Sequence, residues 1–229
     1  MNQYTQRVLT IGDAMAIQNN LNELTQTNWI NILTKDHFKT QMIMEINELV
    51  DGHIDYKWWK KSNNELDYNA KIEVIDILHF ALSVILIHDN AVGFNNRPHW
   101  SSVWSFNDQY SGEHRLRLVD HNNHLNYQSY IKLMKAVCDE DIDKVMYSLI
   151  CLTQLNSEEI SAYFVAKNEL NAIRQQYGYK QGTYKKEKNG QEDNEVMEYY
   201  IDGFFSDENR TLDQLKDDIR EHLVAWQLE

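Results

Sequence analysis

The sequence predicts an all-α protein, and three observations carry that expectation. One proline and eight glycines punctuate 229 residues, whereas a strand-and-turn architecture needs many more turn formers. Apolar residues recur at helical spacing along most of the chain. Two acidic pairs, Glu45-x-x-Glu48 and Glu73-x-x-Asp76, each sit inside a strongly apolar helical pattern. The chain is long enough to bury a sizeable core, so residues 1–229 are expected to form one all-α domain with an irregular insertion over residues 90–126.

Taken in order, Leu9, Ile11, Ala14, Ile17 and Leu21 mark a first helix from about Val8 to Thr25. On it Gln18 and Asn22 form an i, i+4 amide pair, which suits either recognition of a planar ring or plain solvation. A short linker around Trp29 leads to a helix from near Asp36 to about Val50, with Gly52 as its stop. The segment Tyr56-Lys57-Trp58-Trp59-Lys60-Lys61 mixes aromatic and basic side chains. It could stack a base and meet a phosphate, or pack its rings while the lysines reach water. The next helix, from about Tyr68 to His88, is apolar nearly all round after Asp76 and so belongs in the core.

From residue 90 to residue 126 the periodicity fails, although Trp100, Trp104 and Phe106 give that stretch apolar area to dock with. Helical patterns resume over about Tyr127–Val137 and Asp141–Leu155, with Asp139, Glu140 and Asp141 as an acidic first turn. Asn156 followed by Glu159 starts a helix that runs to about Tyr177, with Gly178 at its C′ position. Lys167, Asn171 and Arg174 share one face of it. Between Ser161 and Gly190 six basic residues face two acidic ones. In an acidic protein such an island suits a loop that meets phosphates, or a solvated loop. Helices over about Glu195–Phe205 and Leu212–Gln227 finish the chain, the last opened by a Thr211–Gln214 capping box.

The acidic pairs carry the chemistry. Helical geometry puts Glu45 and Glu48 about 60° apart on one face, beside Met42 and Leu49, while Phe80 and Val84 project near Glu73. Carboxylates against packed surface are costly unless paired or bound to a cation. Oxygen-only ligation points to Mg²⁺, with Mn²⁺ as the substitute. His79, one turn beyond Asp76, reads as a core histidine as readily as a ligand.

Charge and composition narrow the partners. A formal net charge of −13 disfavours a nucleic-acid polymer or an anionic membrane. Cys138 and Cys151 are too few for a disulfide framework and lack metal-ligand spacing, which fits a reducing cytoplasm. No apolar signal or spanning segment is evident, so a soluble, cytoplasmic protein is expected.

Together these stretches resemble the all-α nucleoside triphosphate pyrophosphohydrolases, built around a four-helix Mg²⁺-binding core, and within them the dimeric dUTPases. The likeness is carried by Ile17-Gln18-Asn19-Asn20-Leu21-Asn22, Lys57-Trp58-Trp59-Lys60, both acidic pairs, Lys167-Asn168-x-Leu170-Asn171-x-x-Arg174, Gly178-Tyr179-Lys180-x-Gly182-x-Tyr184 and Gly190-x-Glu192-Asp193-Asn194. The resemblance implies that Glu45, Glu48, Glu73 and Asp76 hold two or more Mg²⁺ ions and that Glu48 serves the attacking water. It implies that Gln18 and Asn22 read uracil, and that Trp59 (or the adjacent Trp58) and His79 line the base and sugar. Lys60, Lys167, Arg174, Lys180, Tyr184, Lys186 and Asn194 would position phosphates, and Asn171 the deoxyribose or phosphate region. A homodimer is implied that hydrolyses dUTP, and dUDP, to dUMP. Three alternatives remain: a related pyrophosphohydrolase for dCTP or other nucleotides, a di-metal helical oxidoreductase suggested by Asp76-x-x-His79, and a non-catalytic helical interaction protein. The oxidoreductase would need a histidine where Asp51 stands.

Overall fold

The computed structural model describes residues 7–53, 68–92, 127–153 and 155–228. Trp58, Trp59, Lys60 and residues 93–126 of the expected insertion lie outside the described residues. Among the described residues the architecture is all-α: α1 (Ile11–Thr25), α2 (Trp29–Ile32), α3 (Lys35–His53), α4 (Tyr68–Val92), α5 (Tyr127–Cys138), α6 (Ile142–Thr153), α7 (Ser157–Gln176), α8 (Asp193–Ser206) and α9 (Leu212–Leu228). The strands β1 (Glu187–Lys188) and β2 (Gln191–Glu192) make one short antiparallel hairpin. No helix among the described residues is long and apolar enough to cross a membrane.

The chain divides into two compact units, residues 1–29 with 157–229 and residues 30–156. In the second unit α3 packs on α4 and α5, and α6 on α4 and α5. Phe38, Met42, Ile46 and Leu49 recur every three or four residues on α3 and are buried, which is the stripe a helix needs to face a partner. On α4 burial is almost continuous from Ala70 to Ile85, and each of its large aliphatic side chains contributes about 1.5–3 kcal/mol on burial. In the first unit α7 is the central element and packs on α1, α8 and α9. Its residues 160–170 are all buried, including Lys167, Asn168 and Glu169. Arg220 of α9 reaches the Glu169 carboxylate at 2.5 Å, and burial raises the Glu169 pKa against the opposing pull of that guanidinium.

The two chain segments of this unit are joined by Arg7. Its guanidinium donates to Glu158 Oε1 at 2.7 Å and to the carbonyls of Phe204, Asp207 and Arg210. Those carbonyls lie at and just beyond the end of α8, where helix geometry leaves acceptors without partners. The cation therefore satisfies a helix terminus and fastens the N-terminal segment in one interaction.

Helix ends follow local chemistry. Thr10 and Asp13 exchange hydrogen bonds in a capping box at α1, and Thr211 and Gln214 do the same at α9. The acidic run before α6 behaves differently from the expected first turn. Asp141 accepts from the Lys144 backbone N–H at 3.1 Å as a helix cap, while Glu140 takes φ 57° between α5 and α6. Gly52 does not stop α3, which continues to His53, and α4 takes up residues 90–92.

At the end of α7, Tyr179 N–H bonds Arg174 O at 2.9 Å and Gly178 N–H bonds Gln175 O at 3.4 Å, a Schellman motif with Gly178 at C′. A Cβ on Gly178, at φ +87°, would stand 2.0 Å from Thr183 Oγ1, whereas one on Gly182 would meet nothing within 4 Å. Gly178→Ala is expected to cost more than about 2 kcal/mol and Gly182→Ala about 1 kcal/mol, the latter from left-handed backbone strain alone. Urea unfolding of the two variants measures the difference; equal losses would show that Thr183 moves aside freely.

Candidate active site

The α3–α4 contact assembles the acidic residues. Because Met42, Ile46 and Leu49 turn one face of α3 onto α4, Glu45 is carried to the seam, where α4 presents Glu73 and Asp76. One carboxylate oxygen from each of these three lies within 4.8 Å of the others, and all three side chains are half-buried. Glu48, one turn on, is exposed, yet its charge still contributes to the field at Glu45. His79 is buried on α4 with Nδ1 3.9 Å from Asp76 Oδ1.

The electrostatic consequence falls on Glu45. Burial first, then the charge of Asp76, a hydrogen bond with Glu73 and the charges of Glu73 and Glu48 push its pKa from 4.5 up to about 8. Without a cation, Glu45 holds a proton at neutral pH and shares it with Glu73. Three convergent oxygens that keep a proton to limit their own repulsion suit a hard divalent cation, which supplies more positive charge at the same place.

The amides and, apart from Lys60 outside the described residues, the basic groups expected to bind substrate belong to the other unit. Gln18 is buried and its Nε2 donates to Asn22 Oδ1 at 2.9 Å, so the pair on α1 is oriented as a unit. Lys167 is buried on α7. Arg174, at the last turn of α7, meets Asp193 in a bidentate pair, Nε to Oδ2 and Nη2 to Oδ1 both at 2.9 Å. The same Nη2 donates to Asn194 Oδ1 at 3.3 Å, and Nη1 lies 3.5 Å from Asn171 Oδ1. Tyr184 donates its hydroxyl to Asp193 Oδ2 at 2.9 Å. The structure thus brings Asn171, Arg174, Tyr184 and Asn194 together around Asp193.

Two lysines of the basic loop are engaged elsewhere. Lys180 Nζ donates to Thr25 O at 2.5 Å, at the C-terminal end of α1, where the helix dipole favours a cation. Lys186 pairs at 3.6 Å with exposed Glu192. Asp193 is the residue the sequence reading left without a role. It is fully buried and opens α8, two residues earlier than expected. The available signal was an arginine on the helix face shared with Lys167 and Asn171, which demands a counter-ion if that face is enclosed.

Burial would lower the Arg174 pKa, but its hydrogen bond and charge interaction with Asp193 outweigh that and raise it. For Tyr184, burial and the Asp193 charge both raise the phenol pKa. Arg174 therefore stays a guanidinium and Tyr184 a neutral phenol across the physiological range.

The raised Glu45 pKa fixes a pH dependence. Between about pH 4.5 and 8 the folded, metal-free protein binds more protons than the unfolded chain, so its stability falls as pH rises through that window. Glu45→Gln is expected to raise the melting temperature in EDTA near pH 8 and to flatten this slope. Melting curves across the pH range check it; an unchanged slope would mean that Glu45 is not the group that gains the proton on folding.

A family model described as dUTPase matches residues 11–179 of the chain. No curated protein matches it.

Proposed function

The chain belongs to the all-α dUTPase family and is a dUTP diphosphatase, and from that premise we propose how its residues divide the reaction. Glu45, Glu48, Glu73 and Asp76 would hold two or more divalent ions, Mg²⁺ with Mn²⁺ as the substitute, which would lower the pKa of water and offset charge on the phosphate oxygens. The observation that carries this reading is the Glu45–Glu73–Asp76 triangle, whose three oxygens converge within 4.8 Å around a carboxyl that stays protonated to about pH 8.

Glu48, exposed one turn from Glu45, orients the attacking water and takes its proton. Gln18 and Asn22 read the base. The bond from Gln18 Nε2 to Asn22 Oδ1 orients the two amides as a pair. Trp59 and His79 contact the base and sugar. Asn171 serves the deoxyribose or phosphate region, and Lys60, Lys167, Arg174, Lys180, Tyr184, Lys186 and Asn194 position the phosphates.

In-line displacement at the β-phosphorus gives dUMP and pyrophosphate from dUTP, and dUMP and phosphate from dUDP. The protein works as a homodimer, as the resemblance implies, and an exposed free thiol at Cys138 suits the reducing cytoplasm.

Pyrophosphate release from dUTP with Mg²⁺, repeated with EDTA and with dUDP, dCTP and dTTP, tests the assignment. Activity is expected with dUTP and dUDP, none in EDTA, and strong rejection of dCTP. Glu45→Gln and Asp76→Asn should each reduce turnover by orders of magnitude while circular dichroism shows the helices intact. Full turnover in both variants would remove the metal reading.

A further inference from the structure

Arg174 has a guanidinium with two usable edges; Asp193 takes one in a bidentate pair, while on the other Nη1 makes a longer 3.5 Å contact with Asn171 Oδ1 and Nη2 reaches Asn194 Oδ1 at 3.3 Å. Nε and Nη2 both donate to the fully buried Asp193 carboxylate at 2.9 Å. Asp193 is itself fixed at the start of α8, its N–H bonded to Lys186 O at 3.0 Å. The hairpin that leads to it turns tightly at Asn189 and Gly190, both with positive φ, and pairs Lys188 with Gln191. Tyr184 donates to the same carboxylate, and its ring centroid stands 6.0 Å from that of Tyr179, over which the guanidinium lies at 5.7 Å. One acid thus fixes an arginine, a tyrosine and the route of the chain between them.

We infer that Asp193 is a positioning residue for phosphate binding: its carboxylate accepts from the Nε–Nη2 edge of Arg174 and from the Tyr184 hydroxyl, and so presents the Nη1 end of the guanidinium, beside Asn171, to a phosphate oxygen. This rests on the reading of Arg174 as a phosphate contact. Arg174 then meets phosphate through one end of its fork, with its orientation set before substrate arrives. Preorganisation matters because a misplacement of about 1 Å costs roughly 100-fold in rate. Tyr184, whose hydroxyl donates to Asp193, serves phosphate positioning through that shared carboxylate, holding it in place for Arg174. An arginine held only by solvent would need no buried acid, so the depth of Asp193 is what separates positioning from a surface pair.

The test compares the affinity of the full-length protein, with Mg²⁺, for a non-hydrolysable dUTP analogue and for deoxyuridine. Asp193→Asn keeps the shape and loses the charge. It is expected to weaken analogue binding roughly 10- to 100-fold while deoxyuridine binding changes little, and to add nothing further in an Arg174→Ala background. Tyr184→Phe should have a smaller effect. If Asp193→Asn does not fold, Arg174→Lys serves instead: it keeps a charge for Asp193, lacks the guanidinium fork, and should weaken the analogue as much as Arg174→Ala does.

Wild-type analogue affinity in folded Asp193→Asn, or in Arg174→Lys, would overturn the inference, as would equal loss for analogue and nucleoside. If Arg174→Ala itself binds the analogue normally, the phosphate role of Arg174 fails and the inference falls with it. If Arg174→Ala is impaired and Asp193→Asn is not, the phosphate role stands and only the positioning role is lost.

Discussion

Carboxylate repulsion in a partly apolar setting is the constraint around which the second unit is arranged. α3 and α4 bury Met42, Ile46, Leu49, Ile72, Ile75 and Ile77, aliphatic side chains whose burial stabilises the unit. Into it the chain inserts Glu45, Glu73 and Asp76, at a cost that appears as a Glu45 carboxyl able to hold its proton to about pH 8. An aliphatic residue at any of the three positions would pack with less penalty. Stability given up at one place, with three oxygens converging there, has a physical explanation in a cation that returns it on binding.

The first unit handles charge in the opposite way. Three of its arginines meet a fixed acceptor: Arg7 the carbonyls that end α8, Arg220 Glu169, and Arg174 Asp193. These pairs join segments far apart in the chain, Arg7 bridging to residues about two hundred positions away. A basic stretch that the sequence presents as a run of loose lysines is thereby sorted into groups with separate duties. Lys180 closes the end of α1, Lys186 sits on the surface with Glu192, and Arg174 is oriented by Asp193. Net charge alone, six basic residues against two acidic between 161 and 190, carries none of that distinction.

Sequence alone determined the features whose causes are local. Helix class followed from sparse glycine and proline. The Gly178 stop and the Thr211–Gln214 box followed from backbone groups within one turn of the residues that satisfy them. The acidic pairs were legible because helical spacing converts directly into a shared face, and an acid on an apolar face needs a partner wherever the helix packs. The boundaries that moved, Gly52 within α3 and Glu140 at positive φ before the Asp141 cap, are ones that the weak preference of a single residue does not set.

Only the tertiary structure decided which charges meet. Asp193 stands 19 residues from Arg174, beyond a loop and a hairpin, and no periodicity links them. The pair exists because the Schellman turn at Gly178 sends the chain back past the end of α7, and because the hairpin delivers the first turn of α8 to the same point. The division into two compact units, one of them made from both ends of the chain, is likewise a product of long-range packing. Sequence spacing names the groups that must be neutralised, and the folded chain selects the partner, because ion pairing depends on distances that local helical geometry does not set.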